Sequence, residues 1–460
     1  MKLRGVLIAA ALTILAASGP ALALPPGFAR QADALLASSY PADGPGASVV
    51  ITDHGKIVYQ AVSGLADVAA KRPITSATVF EIGSITKQFV AATVLQLAAE
   101  GKIKLSDPIA TYLPTYPNGR AISIAQLLNH TSGIPDYTEI PGWMVEANLG
   151  HSYTTQQLTA VFKDLPAASK PGEKWAYSSS GYILVGAVIE AVTHKPWYTA
   201  VEKQILQPLG LLTMRYGIDE SRIANMATGY TSAEKGPVPS IKLHMSVPGA
   251  AGALVGTPSD LAVWANALHH GQVLTAPYYA RMIAPTKLPD GSIVPYGFGI
   301  ENGEVRGHPT IGHGGETLGF STNGLYLPRN DIFVAVYSNS VDPVDAITLQ
   351  LAAMAVGAPY PTFTAVSFDA KKMTPMLGVY KFKDVERIFG MRDGKLFTKR
   401  DGVETVALSA GQNRFFYGPK ALSWFAVRED ASGKFLIEFH GGGSDEIEVG
   451  VRTGPVPSRI

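Results

Sequence analysis

Apolar and polar positions change period several times along the chain, and each change marks an element. Residues 47–52 and 56–62 are two apolar, β-branched runs either side of Asp53-His54-Gly55, a turn composition, which predicts a hairpin. A second hairpin is predicted far downstream, at 323–327 and 332–338, around Pro328-Arg329-Asn330-Asp331. Between them the period is helical: 84–100 closing at Gly101, 124–128, 155–164, 180–193, and 258–269 closing near Gly271. One more helix is predicted at 344–356, closed by Gly357 and Pro359. Strands at both ends of a largely helical segment imply one sheet built from distant pieces and carrying a helical lobe, with a cleft between the two.

Beyond Pro361 aromatic and β-branched runs alternate with turn signals at Asp393-Gly394, Asp401-Gly402, Ser432-Gly433 and Gly441-Gly442-Gly443, which predicts a separate small all-β domain at 365–455. The length of 460 residues agrees with two or three units, at roughly 100–200 residues per domain. Before the first hairpin, Lys2 and Arg4 precede an apolar run at 6–17, then Ser18-Gly19-Pro20 and Ala21-Leu22-Ala23. This is the pattern of a signal peptide, 1–23, cleaved after Ala23, leaving a catalytic domain at 24–360. The apolar run, about 12 residues, falls short of the ~20 that span a bilayer. The expectation is a periplasmic or secreted protein with no stable membrane insertion once the signal is removed.

Composition narrows the function. Lys+Arg 38 against Asp+Glu 37 gives a formal charge of +1 with no basic stripe, so nucleic acid is not an expected partner. The absence of cysteine excludes disulfides, thiolate metal sites and a cysteine nucleophile. The run Glu81-Ile82-Gly83-Ser84-Ile85-Thr86-Lys87 opens a helix that is apolar on nearly every side, hence buried. Ser84 then sits at a helix N-terminus, which favours developing negative charge, and Lys87 lies on the same face one turn on. A lysine can take the serine proton only if burial lowers its pKa by several units. The spacing itself is weak evidence: roughly one or two such pairs arise by chance in this length. Ser232-Ala233-Glu234-Lys235 repeats it in a polar loop. The ordinary reading of Ser84 is a helix-capping serine beside a solvated lysine.

Further motifs change that balance. Leu127-Leu128-Asn129-His130-Thr131-Ser132-Gly133-Ile134-Pro135, Pro171-Gly172-Glu173, Trp175-Ala176-Tyr177-Ser178-Ser179-Ser180-Gly181-Tyr182, Pro208-Leu209-Gly210-Leu211, Tyr296-Gly297-Phe298-Gly299 and Ile311-Gly312-His313-Gly314-Gly315-Glu316 follow in order. Over roughly 30–357 the chain resembles the serine beta-lactamase-like, penicillin-recognising proteins, which include class C beta-lactamases, D-peptidases and related esterases. The fold this implies is α/β, an antiparallel sheet flanked by helices with an inserted helical lobe, to which the C-terminal all-β domain is added.

The resemblance implies that Ser84 attacks an acyl carbon while Lys87 and Tyr177 manage its proton, the acylation base being left to the pair. The backbone N–H groups of Ser84 and Glu316 would hold the oxyanion, with Gly315 letting substrate lie close to that strand. Ser179 stands where many relatives have Asn, and His313 where typical beta-lactamases have Lys. A serine cannot both donate to and accept from an amide as asparagine does, and a neutral histidine offers no fixed charge to a carboxylate. The expected activity is therefore on small esters or D-amino-acid peptides and amides, with beta-lactamase activity weak or incidental. The rival is a catalytically silent protein of the same fold that binds a cell-wall peptide or a partner. A small molecule or short peptide is the expected substrate, and oligomerisation is left open. Neither metal nor organic cofactor is expected, since His308 and His313 lack a third ligand at sensible spacing.

Overall fold

Two hairpins far apart in the chain meet in one sheet. The computed structural model describes residues 24–457 apart from 235, 343, 384, 419–420 and 443–446, so the signal-peptide expectation for 1–23 lies outside the described residues. The sheet strands are β1 (Ala47–Asp53), β2 (Lys56–Ser63), β3 (Glu301–Val305), β4 (His308–Glu316), β5 (Ser321–Leu327) and β6 (Ile332–Ser338). Their order is β3-β4-β5-β6-β1-β2, antiparallel throughout. Every residue of β1 and β6 is buried, because both faces of the sheet are covered. That is why 332–338 reads as an unbroken apolar run rather than an alternating one.

The main helices are α1 (Phe28–Ser39), α2 (Thr86–Ala99), α3 (Ser179–Thr193), α4 (Pro258–His269) and α5 (Asp345–Ala355), of which α1, α4 and α5 pack on the sheet. Side chains alternate between two cores. Val50, Phe333, Ala335 and Tyr337 face the large core shared with α2, α3 and α4. Val49, Ile51, Val334 and Val336 face a smaller one under α1 and α5. The sequence expectation for 84–100 needs one adjustment: a 3-10 turn at Gly83–Ile85 precedes α2. Gly83 there takes φ +51, a left-handed conformation that a side chain resists.

The C-terminal strands, β7 to β14, run from Gly378–Lys381 to Ile447–Gly454 and close into a barrel, with the first strand pairing with the last. Tyr380, Phe382, Phe389, Phe415, Phe425 and Phe439 fill its centre, so this is a packed aromatic core.

Two glycines bring the 3-10 turn against the end of β4. A Cβ on Gly315 would stand 2.0 Å from the carbonyl oxygen of Ile82, and one on Gly83 would stand 2.6 Å from the Glu316 nitrogen. Thr322 Oγ1 ties the two segments, donating to Ile82 O at 3.0 Å with Gly315 O at 3.1 Å. Gly315→Ala should therefore lower unfolding free energy by about 2 kcal/mol or more, since backbone cannot move aside as a side chain can. Gly441→Ala, with no atom within 4 Å of the added carbon, should stay within about 0.5 kcal/mol of the parent chain in the same denaturant titration.

Candidate active site

The turn that α2 grows from presents Ser84 with its N–H ahead of the first intrahelical acceptor. Lys87, in the first turn of α2, is wholly buried, and its Nζ lies 3.0 Å from Ser84 Oγ and 2.9 Å from the carbonyl oxygen of Ala251. The aromatic faces of Tyr177 and Tyr182 enclose it, at 4.8 and 5.5 Å from Nζ to the ring centres. Tyr177, two residues before α3, donates its O–H to Ser84 Oγ at 2.8 Å. Asp136 accepts the Ser179 N–H at 2.8 Å, Ser180 Oγ accepts the Tyr137 N–H at 2.8 Å, and these bonds fix the start of α3 against the 136–139 turn.

Burial shifts the lysine and the phenol in opposite senses. Desolvation lowers Lys87 from its ordinary 10.5 to about 7, although the charges of Asp136 and Glu301 pull it back up. Desolvation raises Tyr177 above the ordinary phenol range, only partly offset by the Ser84 hydrogen bond. Near neutral pH the amine thus has a free lone pair while the phenol keeps its proton.

A second set of buried groups lies behind Tyr177. The Ser178 N–H donates to His130 Nδ1 at 3.1 Å, so a neutral His130 carries its proton on Nε2, which reaches Tyr296 Oη at 3.0 Å. The Tyr296 O–H is then free to donate to His313 Nε2 at 2.9 Å, and His313 Nδ1–H donates to its neighbour Gly314 O at 2.5 Å. The backbone partner of each ring sets its tautomer. Burial and the nearby Lys87 hold His313 down to about 3, and the same two causes hold His130 well below the usual imidazole value. The His130 ring also packs on Tyr177, 4.3 Å between ring centres, so the chain links the phenol to the β4 backbone.

Ser84 opens on a cleft with two arms. The larger, about 610 Å³, is lined by Tyr177, His313, Gly315 and Glu316 together with Ser84. The smaller, about 230 Å³, is lined by Ser84, Ser179 and Glu316 with apolar Tyr137, Met144, Leu243, Val247 and Leu318. Ser84, Tyr177, Ser179, His313, Gly315 and Glu316 therefore gather at one cleft, with Lys87 behind Ser84. Tyr137, Thr138 and Met144 from one segment and Leu243 and Val247 from another supply part of the smaller arm's wall. His130 and Tyr296 were visible in sequence only as motif members, and Ala251 gave no signal at all. Ser232 is exposed on a two-stranded ribbon (Tyr230–Ala233), and its partner 235 lies outside the described residues. His308 bonds Asn330 Oδ1 at 2.8 Å, away from His313.

The chain is similar to several known proteins. The family model described as Beta-lactamase matches residues 34–358. Among curated proteins, the "Penicillin-binding protein 4*" of Bacillus subtilis (strain 168) is 27% identical over 292 residues, 60% of this chain and 64% of that protein. The "D-aminopeptidase" of Brucella canis is 26% identical over 318 residues, 69% of this chain and 60% of that protein. The matches thus span less than two thirds of the length of these relatives. Among solved structures, the octameric penicillin-binding protein homologue from Pyrococcus abyssi superposes with a TM-score of 0.66 at 22% identity, covering 92% of this chain and 99% of that one. That likeness extends the shared fold over nearly the whole chain.

The fixed hydrogen directions give a test. Imidazole ¹⁵N shifts should show one proton per ring from pH 5 to 8, on Nε2 of His130 and Nδ1 of His313, because both rings are held neutral. A titration midpoint near the ordinary ~6.5 for either ring would contradict the arrangement. Tyr296→Phe removes the hydroxyl that bonds both rings and should cost about 2–4 kcal/mol of stability, from two buried nitrogens left unpaired.

Proposed function

We propose a function from one premise: the chain belongs to the Beta-lactamase family, whose model matches 34–358. It is a serine hydrolase that forms an acyl-enzyme on Ser84. The observation that carries this reading is a single serine oxygen held between a fully buried amine at 3.0 Å and a phenol at 2.8 Å.

The two shifts divide the labour. Lys87, uncharged near neutrality, accepts the Ser84 proton as Oγ bonds to the acyl carbon. Tyr177, still protonated, donates its own proton to the departing amine or alcohol and is reprotonated from Lys87, so no net proton is gained or lost in acylation. In deacylation water takes the place of the leaving group and the path runs in reverse. The N–H groups of Ser84 and Glu316 hold the tetrahedral oxyanion, a contribution of several kcal/mol where such donors are preorganised. Gly315, lacking a side chain, lets substrate approach that edge.

The substrates are small esters or D-amino-acid peptides and amides. The apolar walls of the smaller arm suit an aromatic or branched acyl side chain. Beta-lactam hydrolysis is weak or incidental, since Ser179 replaces an amide side chain and His313 is neutral. The relative named D-aminopeptidase supports this choice. Export to the periplasm or medium rests on the N-terminal pattern. No helix among the described residues is long and apolar enough to cross a membrane.

Hydrolysis of short-chain nitrophenyl esters and D-phenylalanine amide tests the reading. Ser84→Ala should lose activity by about a thousandfold or more, while Ser232→Ala keeps the parent rate. Equal rates for the parent and Ser84→Ala would leave a silent binding protein as the better account. The pH dependence has a fixed sign. Below about 7 Lys87 carries a proton and cannot accept another, so kcat/KM should fall about tenfold per pH unit on the acid side and level off above pH 8. A profile flat from pH 5 to 9 would overturn the assignment of Lys87 as base.

A further inference from the structure

Tyr177 divides the cleft. If its phenol hands a proton to the departing atom, the leaving group lies in the larger arm, which Tyr177 lines, and the acyl group in the smaller arm, which it does not. The walls of the larger arm offer hydrogen-bond acceptors and no cation. Glu301, Glu304, Glu316 and Asp345 line it, and no lysine or arginine is among its lining residues. His313 brings no positive charge, being held down to about 3 by burial and by Lys87.

One of these carboxylates has a fixed partner. Asn323, only 7% exposed and part of the same wall, donates from Nδ2 to Asp345 Oδ1, while its Oδ1 has no hydrogen-bond partner. That bond holds the Asp345 carboxylate at the wall of the arm. The register leaves β4 bare here: Asn323 faces Gly314 across β4 and β5, and Glu301 faces Gly312 across β3 and β4, so β4 adds no side chain to the wall at either position.

We infer that the larger arm is a subsite for a positively charged leaving group, a primary ammonium carried by the amine or alcohol that departs from the acyl carbon. The inference rests on the hydrolase reading above and names its substrate class more narrowly. Glu301 and Asp345 provide the countercharge, with Asp345 held by the Asn323 amide. The ammonium takes no part in bond making: the Ser84 Oγ–C bond forms, the C–N or C–O bond breaks, the Tyr177 proton goes to the departing atom, and the distant ammonium leaves still protonated. A carboxylate at the same place meets only like charge, which disfavours leaving residues that end in a free C-terminus. Glu301 is half-exposed, so solvent blunts its perturbation, yet partial desolvation and the adjacent Asp345 still push it up to about 7. A bound cation relieves both causes.

The test uses the full chain and three D-phenylalanyl amides of matched length, with 1,3-diaminopropane, n-butylamine or 4-aminobutyrate as leaving amine. Their free ends are cationic, neutral and anionic. Expected kcat/KM is about tenfold higher for the cationic than for the neutral amide, and lowest for the anionic one. The cationic-to-neutral ratio should fall toward one in Glu301→Gln, in Asp345→Asn, and in the parent chain at about 0.5 M salt. Equal, Ser84-dependent rates on all three amides overturn the subsite and leave the hydrolase reading standing. If none is hydrolysed, ester hydrolysis still decides the hydrolase reading and binding decides the subsite. Saturation-transfer NMR on Ser84→Ala must then show n-butylammonium bound more tightly than n-butyrate, with the preference lost on adding Asp345→Asn. No such preference overturns the inference.

Discussion

An amine kept dry is the constraint on which the rest of this structure depends. Moving Lys87 from 10.5 to about 7 corresponds to disfavouring its charged form by on the order of 5 kcal/mol, and the fold must supply that entirely through exclusion of water. No carboxylate makes a hydrogen bond to Nζ; its partners are Ser84 Oγ and Ala251 O, with aromatic faces on the remaining sides. The linkage has a definite sign. Between about 7 and 10.5 the unfolded chain holds a proton on this lysine that the folded chain does not, so its contribution makes the fold more stable as pH rises through that window. This explains why α2 is apolar all round instead of amphipathic: a helix with one wet face would hydrate the amine one turn from its start.

The second requirement is placement. A dry amine is useful only if the serine oxygen, the phenol and the edge of β4 converge on it, and the contact between the Gly83 turn and Gly315 enforces this. Backbone there packs on backbone, with Thr322 bonded to both sides. The His130–Tyr296–His313 chain adds a rigid link from the Tyr177 ring to the Gly314 carbonyl. Because burial holds both rings neutral, the link brings no charge close to Lys87 that would disturb its titration.

Much of this was legible in the sequence, and the boundary of legibility has a physical cause. The two hairpins, the helix from Ser84 and the position of Tyr177 ahead of α3 are local patterns, written in apolar period and turn residues. The closure of the barrel was not legible, because turn signals announce strands and say nothing of Val379 pairing with Gly454. Nor was the role of Tyr296, which lies 166 residues from His130, or of Ala251, 164 residues from Lys87. A carbonyl acceptor leaves no mark in residue identity. Gly83 and Gly315 were both visible as letters, yet the close approach that requires them exists only once 82–84 and 315–316 are brought together.

The sequence motifs and the structure therefore constrain different things: the motifs name the reacting groups, and the packing sets the protonation state in which they meet. The most direct test of that claim is an NMR titration of the Lys87 amine in the intact chain, following its ¹³Cε and ¹⁵Nζ shifts with pH. The expected result is a midpoint near 7, with the uncharged amine dominant above it. A midpoint at or above the ordinary ~10.4 of a solvated lysine would contradict the account.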